Sequence, residues 1–323
     1  MMAWLLSGRA EQSTIVDCLV ALCEKGETVE ELVGAAQALR DSMLTVHSQR
    51  RPLLDTCGTG GDGAKTFNIS TAAAIAIAAC GVPVAKHGNR KITSSTGSAD
   101  VLAELGINLE ASPATVTASL DRLGICFCFA PHFHPAMRHV GPARREIARP
   151  TIFNRLGPLA NPAGADRQVL GVGSEDLQRP MAEALQQLGS QRSLVVRGID
   201  GVDEISLSTS TVVLEVTPQA IVEHRWSPED FGLRRASRDD LFADDPAASA
   251  ACIRSVLDGE TGARRDVVIL NAAAGLWVAG VHPDLRNCAQ LVQQALDSGR
   301  AKLLVEELGK ATHEEHATPS AKV

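Results

Sequence analysis

The 323-residue chain predicts an α/β fold: a small N-terminal helical domain ahead of a large α/β domain whose mostly parallel central sheet is flanked by helices. Three observations carry this expectation. Apolar residues at helical spacing occupy the chain before residue 47. From residue 53 onward, short apolar runs alternate with helical patterns, the rhythm of βαβ units joined by crossovers. Polar, glycine-containing loops follow the first two of those runs, where neighbouring parallel strands bring their ends together.

Taken in order, Val29, Leu32, Val33, Ala36, Leu39 and Met43 fall on one helix face, and Thr28 with Glu31 forms a capping-box pattern. With the apolar run at 15–23 they make the helical region, and 47–51 reads as a polar linker. Strands are expected at 53–57, 82–85, 125–130, 167–172 and 194–197, and helices at 70–80, 98–105, 112–123 and 175–188. Ser112-Pro113 supplies an N-cap and a first-turn proline, and Gly106 and Gly124 stand where helix C-caps are wanted. The stretch 205–216 reads as strand with no helix before it, an antiparallel excursion. Helical patterns at 266–280 and 284–308 close the domain, and 309–323 reads as a frayed end. The expected map is a helical domain at 1–47 joined by a returning segment at about 146–165, an α/β domain at 52–145 and 166–310, and a tail at 311–323. There are no internal repeats.

Composition narrows the function classes. A 45% hydrophobic content at this length buries one large core and a small satellite. The net charge of −7 argues against nucleic-acid or anionic-membrane binding, so basic residues in loops read as a local anion site. With no tyrosine and 3% aromatic residues, stacking platforms for single strands are missing. The eight cysteines have no C-x-x-C spacing and read as reduced core thiols; Cys126 and Cys128 share one strand face, which is no zinc signature. The start of the chain carries no basic, apolar leader, and the cytoplasm is the expected compartment.

The run D-T-C-G-T-G-G-D-G-A-K-T-F-N-I-S-T, from Asp55 to Thr71, is the densest signal. Gly58, Gly60, Gly61 and Gly63 let successive N–H groups approach an anion beside the positive end of the following helix, so phosphate or diphosphate suits the loop. A P-loop would need the lysine directly after the last glycine, yet Ala64 intervenes before Lys65-Thr66. Asp62 inside the loop would repel phosphate unless a metal, an amine or a hydroxyl stands between them. A second loop, Lys86 to Asp100, gathers Lys86, His87, Asn89, Arg90, Ser94, Ser95 and Ser98 as donors for a polyanion. Asp203 and Glu204 are adjacent acids in a glycine-containing loop after the strand at 194–197; the residues alone leave them either solvated or paired on a metal.

With the segments H-F-H-P-A-M-R-H from His132, T-I-F-N-R-L-G-P-L-A-N-P from Thr151 and G-I-D-G-V-D-E-I-S from Gly198, these loops resemble the anthranilate phosphoribosyltransferase family over about 15–308. The specific motifs are G-T-G-G-D-G, N-I-S-T, K-H-G-N-R, G-S-A-D, H-P-A-M and D-G-x-D-E. Pyrimidine nucleoside phosphorylases share the fold and a related glycine loop, but would need no Asp203-Glu204 metal pair; a non-catalytic nucleic-acid-binding paralogue would be expected to show a basic groove and a degraded K-H-G-N run.

The resemblance implies displacement of diphosphate from 5-phosphoribosyl 1-diphosphate by the amine of anthranilate, giving N-(5-phosphoribosyl)anthranilate in tryptophan biosynthesis, with Mg²⁺ as cofactor. It implies that Gly58, Gly61, Asp62, Thr66, Asn68, Ile69, Ser70, Thr71, Lys86, His87, Gly88, Asn89, Arg90, Ser94 and Ser98 hold the phosphoribosyl diphosphate, and that Ser70, Asp203 and Glu204 serve the metal. Gly58, Asn89, His134 and Arg144 would receive anthranilate, with His87 and Met137 shaping its path and Arg144 suited by its planar fork to the carboxylate. For His134, direct contact and a capping or packing role both stay open. No general base is assigned, since the aromatic amine is a nucleophile without one.

Two departures stand out: 148–151 reads A-R-P-T where relatives commonly read G-x-R-T, and Ser95 stands where many have lysine, with Lys91 nearby. The resemblance further implies a homodimer formed through the helical domain. The residues from Ala3 to Gln12 align with the family's second helix region, so a weakened dimer is expected, with Trp4, Leu5 and Leu6 as an exposed apolar edge.

Overall fold

The structure, a computed structural model, describes residues 1–90 and 96–314. Helices α1 (Met2–Leu6), α2 (Gln12–Lys25) and α3 (Val29–Asp41) form the N-terminal unit. α3 begins as its sequence dictates: Glu31 N–H donates to Thr28 Oγ1 at 3.3 Å, and Thr28 N–H donates to Glu31 Oε2 at 3.0 Å. Leu5, Leu6, Leu19, Leu32 and Ala36 share one core with Ile152, Phe153 and Leu156 of the returning segment. The exposed edge expected at Trp4, Leu5 and Leu6 is therefore corrected: Leu5 and Leu6 are 0% and 3% exposed, and Trp4 alone faces outward at 39%. Successive helical residues turn by about 100°, so the two leucines straddle the face that meets α3 while Trp4 lies beside it.

The sheet among the described residues has seven strands in the order β3-β2-β1-β4-β5-β6-β7. They are β1 (Leu54–Gly58), β2 (Val84–Gly88), β3 (Ile125–Phe129), β4 (Arg167–Gly171), β5 (Arg192–Gly198), β6 (Thr211–Val216) and β7 (Ile221–Trp226). Pairing is parallel from β3 through β5 and antiparallel at β6 and β7. β3 alternates as a two-sided strand must: Ile125, Phe127 and Phe129 enter one core, Cys126 and Cys128 the opposite one.

Between the strands run α4 (Ile69–Ala79), α5 (Ser98–Glu104), α6 (Pro113–Leu123), the short α7 (Ala130–Phe133), α8 (Gly141–Ile147), α9 (Phe153–Leu156) and α10 (Glu175–Gln187). The chain closes with α11 (Pro246–Leu257), α12 (Ala263–Ala279), α13 (Leu285–Asp297) and α14 (Arg300–Thr312). Ser112 Oγ accepts the Thr115 N–H at the start of α6, and Gly124 ends that helix in the left-handed region, as expected. One sheet face is covered by α4 and α11–α14, the other by α10 with the N-terminal unit and by α6.

Several boundaries differ from expectation. The strand expected over 205–216 starts only at Thr211, because the backbone of Ile205 is engaged by the Asn271 side chain instead of a neighbouring strand. β7 was not foreseen; as an edge strand with Glu223, His224 and Arg225 in its middle, it lacks an apolar signature. The helix expected over 284–308 is two helices, broken at Gly299 with φ +73°. The tail expected from 311 begins later: Ala311 and Thr312 are buried, and Asn108 N–H and Nδ2 donate to Thr312 Oγ1 and O at 3.0 and 3.1 Å. The remainder of that tail, 315–323, lies outside the described residues. No described helix is long and apolar enough to cross a membrane.

Candidate active site

The parallel strands β1, β2, β4 and β5 end at one edge of the sheet, where the chain after β1, after β2 and after β5 converges. Two glycines make the convergence close. A Cβ on Gly58 would stand 2.5 Å from Asp203 Oδ2, and one on Gly171 would fall on the Asp203 backbone carbonyl. Without those side chains, the 198–210 loop carries Asp203 and Glu204 against the glycine loop. The result is a cleft of about 540 Å³ whose wall includes Gly58, Asp62, Thr66, Asn68, Ser70 and Lys86, together with Asp203 and Glu204.

The groups in this cleft are held by backbone and by one another. Gly60 N–H donates to Asp203 Oδ2 at 3.1 Å, and Asp203 N–H donates to Asp62 Oδ2 at 3.3 Å. Ser70 N–H donates to Glu204 Oε1 at 3.1 Å, so Glu204 takes one of the unpaired donors of the first turn of α4. Lys86 Nζ donates to the Thr56 carbonyl and stands 3.4 Å from Ser70 Oγ. Burial, then the nearby Asp62, raises the Asp203 carboxyl to about 7. Burial and Asp203 push Glu204 well above the usual carboxylate range, with Lys86 acting in the opposite sense. Burial likewise lowers Lys86, while Asp55 counteracts it. The cleft wall carries Lys65, Lys86 and Arg90 as well as these acids. Among the described residues no three His, Cys, Asp or Glu side chains close around a point. The donor set is two carboxylates and a hydroxyl beside an open cleft, which suits a hard cation completed by ligand oxygens and water, as Mg²⁺ is bound.

A second cavity, about 690 Å³, opens beside the first and shares Gly58, His87 and Asn89 with it. Its wall carries Arg138, Arg144 and Arg145 with no acidic residue among the described residues, and apolar groups such as Met137, Pro158 and Phe153. The Arg144 guanidinium lies 5.5 Å from the centre of the Phe153 ring and donates to Asn154 Oδ1 at 3.4 Å. Burial presses its pKa down, a cost that an entering carboxylate would offset. At the back, His87 Nδ1 donates to the Gly157 carbonyl at 2.9 Å, which leaves its Nε2 as acceptor for His134 Nε2 at 3.2 Å. His134 Nδ1 is then a buried acceptor without a partner. Burial lowers His87 to about 4; burial and His87 lower His134 to about 3, so both rings are neutral.

Of the residues expected on the phosphoribosyl diphosphate, Gly58, Asp62, Thr66, Asn68, Ile69, Ser70, Lys86, His87, Gly88, Asn89, Arg90 and Ser98 line the first cleft. Gly61 and Thr71 lie off its wall: Gly61 turns the loop at φ +85°, and Thr71 is inside α4 at 1% exposure. Ser94, with Lys91 and Ser95, lies outside the described residues. Gly58, Asn89, His134 and Arg144, expected for anthranilate, all line the second cavity. Sequence reasoning missed Lys65, Thr96 and Asp244 on the first cleft and Arg138, Asn154 and Pro158 on the second. Lys65 and Thr96 sit within the two loops already singled out; Asp244 arrives from far along the chain with no local signal. Pro150 lies beside α2, where Cys23 Sγ stands 3.7 Å from its carbonyl, away from both cavities.

Known proteins match this architecture over nearly its full length. Residues 1–43 match the helical bundle domain, and 50–302 the a/b domain, of the glycosyl transferase family. An anthranilate phosphoribosyltransferase of Rhodopirellula baltica is 48% identical over 95% of this chain and 90% of its own length. That of Symbiobacterium thermophilum is 48% identical over 97% and 92%. The crystal structure of anthranilate phosphoribosyltransferase from Thermus thermophilus superposes with a TM-score of 0.91 at 45% identity, covering 97% of this chain and 94% of that one. The Saccharomyces cerevisiae enzyme in complex with PRPP and Mg gives 0.86 at 28%, covering 93% and 85%. With both parts of the glycosyl transferase architecture matched and such identity across the whole sheet and its helical unit, the chain belongs to the anthranilate phosphoribosyltransferase family.

Proposed function

We propose that this protein is a Mg²⁺-dependent anthranilate phosphoribosyltransferase, joining the anthranilate amine to the phosphoribosyl group of 5-phosphoribosyl 1-diphosphate with release of diphosphate, in tryptophan biosynthesis. The observation that carries the reading is the division of charge between two cavities that meet at Gly58, His87 and Asn89: carboxylates together with Lys65, Lys86 and Arg90 in one, three arginines and no acid among the described residues of the other. One cavity suits a cation with a polyphosphate, the other an aromatic carboxylate. A nucleoside phosphorylase, which uses inorganic phosphate, would leave the half-buried Asp203 and Glu204 without a purpose.

In this reading the glycine loop, the α4 N-terminus and Lys86 bind phosphate oxygens, and Asn68 and Asn89 orient the sugar. Asp203, Glu204 and Ser70 would hold Mg²⁺, whose charge, when bound, offsets that developing on the departing diphosphate. Arg144 grips the anthranilate carboxylate and so aims the amine toward the junction of the cavities. His134, held near 3, is a poor proton acceptor at neutral pH. The aromatic amine would attack as the free base without a protein base, and the proton it sheds once the C–N bond has formed would pass to water or to the released diphosphate. The Asp62 carboxylate would tolerate phosphates nearby only with a cation, an amine or a hydroxyl to offset its charge.

The expected cytoplasmic setting and homodimer belong to the same reading; Met1 and Trp4, exposed at 66% and 39% on one end of the helical unit, offer apolar surface to a second copy. The domain boundaries are proposed at 1–47 with the returning segment and at 52–145 with 166–312, the last extended past the expected 310 because Thr312 packs on Asn108. Loss of anthranilate fluorescence on adding phosphoribosyl diphosphate and Mg²⁺ tests the activity; unchanged fluorescence with both present would refute it.

A further inference from the structure

We propose that Asn271, on the buried helix α12, is a positioning residue that aims Glu204 and Asp203 at the cation and so sets the metal affinity of the site without touching either substrate. The inference rests on the assignment of those two carboxylates to Mg²⁺.

Asn271 is 2% exposed, among Val268, Leu270, Ala272, Ala274 and Gly275. An amide in such a place is costly unless its groups are paired. Here they are paired with the loop: Ile205 N–H donates to Asn271 Oδ1 at 2.9 Å, and Asn271 Nδ2 donates to the Ile205 carbonyl at 3.1 Å and to the Val267 carbonyl at 3.0 Å. The reciprocal pair reproduces with one side chain what a neighbouring strand does with its backbone. It falls on the residue directly after Glu204, where the sheet offers nothing, since β6 begins at Thr211.

The loop is braced on its other flank as well. Ser206 Oγ and Ser208 Oγ donate to Asp200 Oδ2 at 2.9 and 2.5 Å, closing 200–208 on itself. Helix α12 packs along α4, whose first turn receives Glu204 through Ser70 N–H. Asn271 thus ties the carboxylate's backbone to the same rigid pair of helices that receives its oxygen. Neither cavity wall includes Asn271, so the residue acts through the loop alone.

The test is Mn²⁺ binding, followed by electron paramagnetic resonance with phosphoribosyl diphosphate present, for the unaltered chain, Asn271→Leu, Glu204→Gln, the pair Asn271→Leu/Glu204→Gln, and Asp203→Asn/Glu204→Gln. Leucine matches asparagine in shape and removes both bonds to Ile205. Asn271→Leu is expected to weaken Mn²⁺ binding about tenfold, with the KM for anthranilate unchanged. Combined with Glu204→Gln its further loss is expected to be smaller than its loss alone, because Glu204 is one of the two carboxylates it aims. Undiminished Mn²⁺ affinity in Asn271→Leu, or losses that add in the combined variant, would overturn the proposal. Undiminished binding by Asp203→Asn/Glu204→Gln would instead overturn the assignment of the carboxylates to the metal. If Asn271→Leu does not fold, Asn271→Ser serves the same comparison: it too abolishes the reciprocal pair, and unchanged affinity in it is equally fatal.

Discussion

Glu204 Oε1 accepts the Ser70 backbone N–H at 3.1 Å, so a carboxylate from the loop after β5 sits on the positive end of α4, the helix that opens behind the glycine loop. The contact joins two segments separated by 134 residues. It places the acid pair beside the glycine loop, where the two carboxylates and Ser70 could hold a cation. Asp203→Asn with Glu204→Gln is therefore expected to cut turnover by on the order of a thousandfold or more while the fold persists. Near-normal turnover at ordinary Mg²⁺ would exclude the pair from the chemistry.

Arg144 faces a cavity wall without acids. Removing its guanidinium takes away one charged hydrogen-bonding partner, about 1.5–3 kcal/mol, so Arg144→Ala should raise the KM for anthranilate about ten- to hundredfold. The KM for phosphoribosyl diphosphate should stay nearly constant; equal damage to both substrates would mark a structural role.

The paired histidines make acid stability a readout of the second cavity. Both folded-state values lie below the ordinary imidazole value of 6.5, at about 4 for His87 and about 3 for His134. The unfolded chain then binds protons first, so the native state loses stability as pH falls below 6.5, by about 1.4 kcal/mol per pH unit for each ring, until the folded value is reached. Asp203, whose value is raised, contributes in the opposite sense over part of that range. Urea denaturation of the unaltered chain and His134→Asn at pH 7.5, 6 and 5 isolates the histidine contribution. The variant's curve should be flatter; parallel curves would contradict the neutral pair.

Gly171 is demanded by its neighbour, since a side chain there overlaps the Asp203 carbonyl. Backbone cannot give way as a flexible side chain can. Gly171→Ala should cost about 1–3 kcal/mol of stability and weaken the cleft. Thermal melts with and without phosphoribosyl diphosphate check this, and an unchanged melting temperature would show that the loop moves freely.

For the proposed dimer, Trp4 is the large apolar side chain that α1 turns outward. An interface that buries Trp4 would lose apolar contact and gain an unpaired charge if that residue became acidic. Sedimentation over a range of concentrations should show the dimer, and Trp4→Glu should shift it to monomer with turnover retained. A dimer intact at nanomolar protein, indifferent to that change, would overturn the expectation.

The sequence by itself determined the order of the strands from β1 to β5 and most of the first cleft. Glycine spacing, the capping box at Thr28 and Glu31, and the βαβ rhythm are local effects, each read within a few residues. The two substrate loops were legible for the same reason: their donors are consecutive. The tertiary structure alone decided which of those residues meet. It buried Thr71 within α4, brought Asp244 into the cleft, turned Leu5 and Leu6 inward and set His134 against His87. It also assigned Ile205 to Asn271 instead of to a strand, because a buried backbone donor takes whatever partner the packing presents, and only the packed helix α12 could present that one.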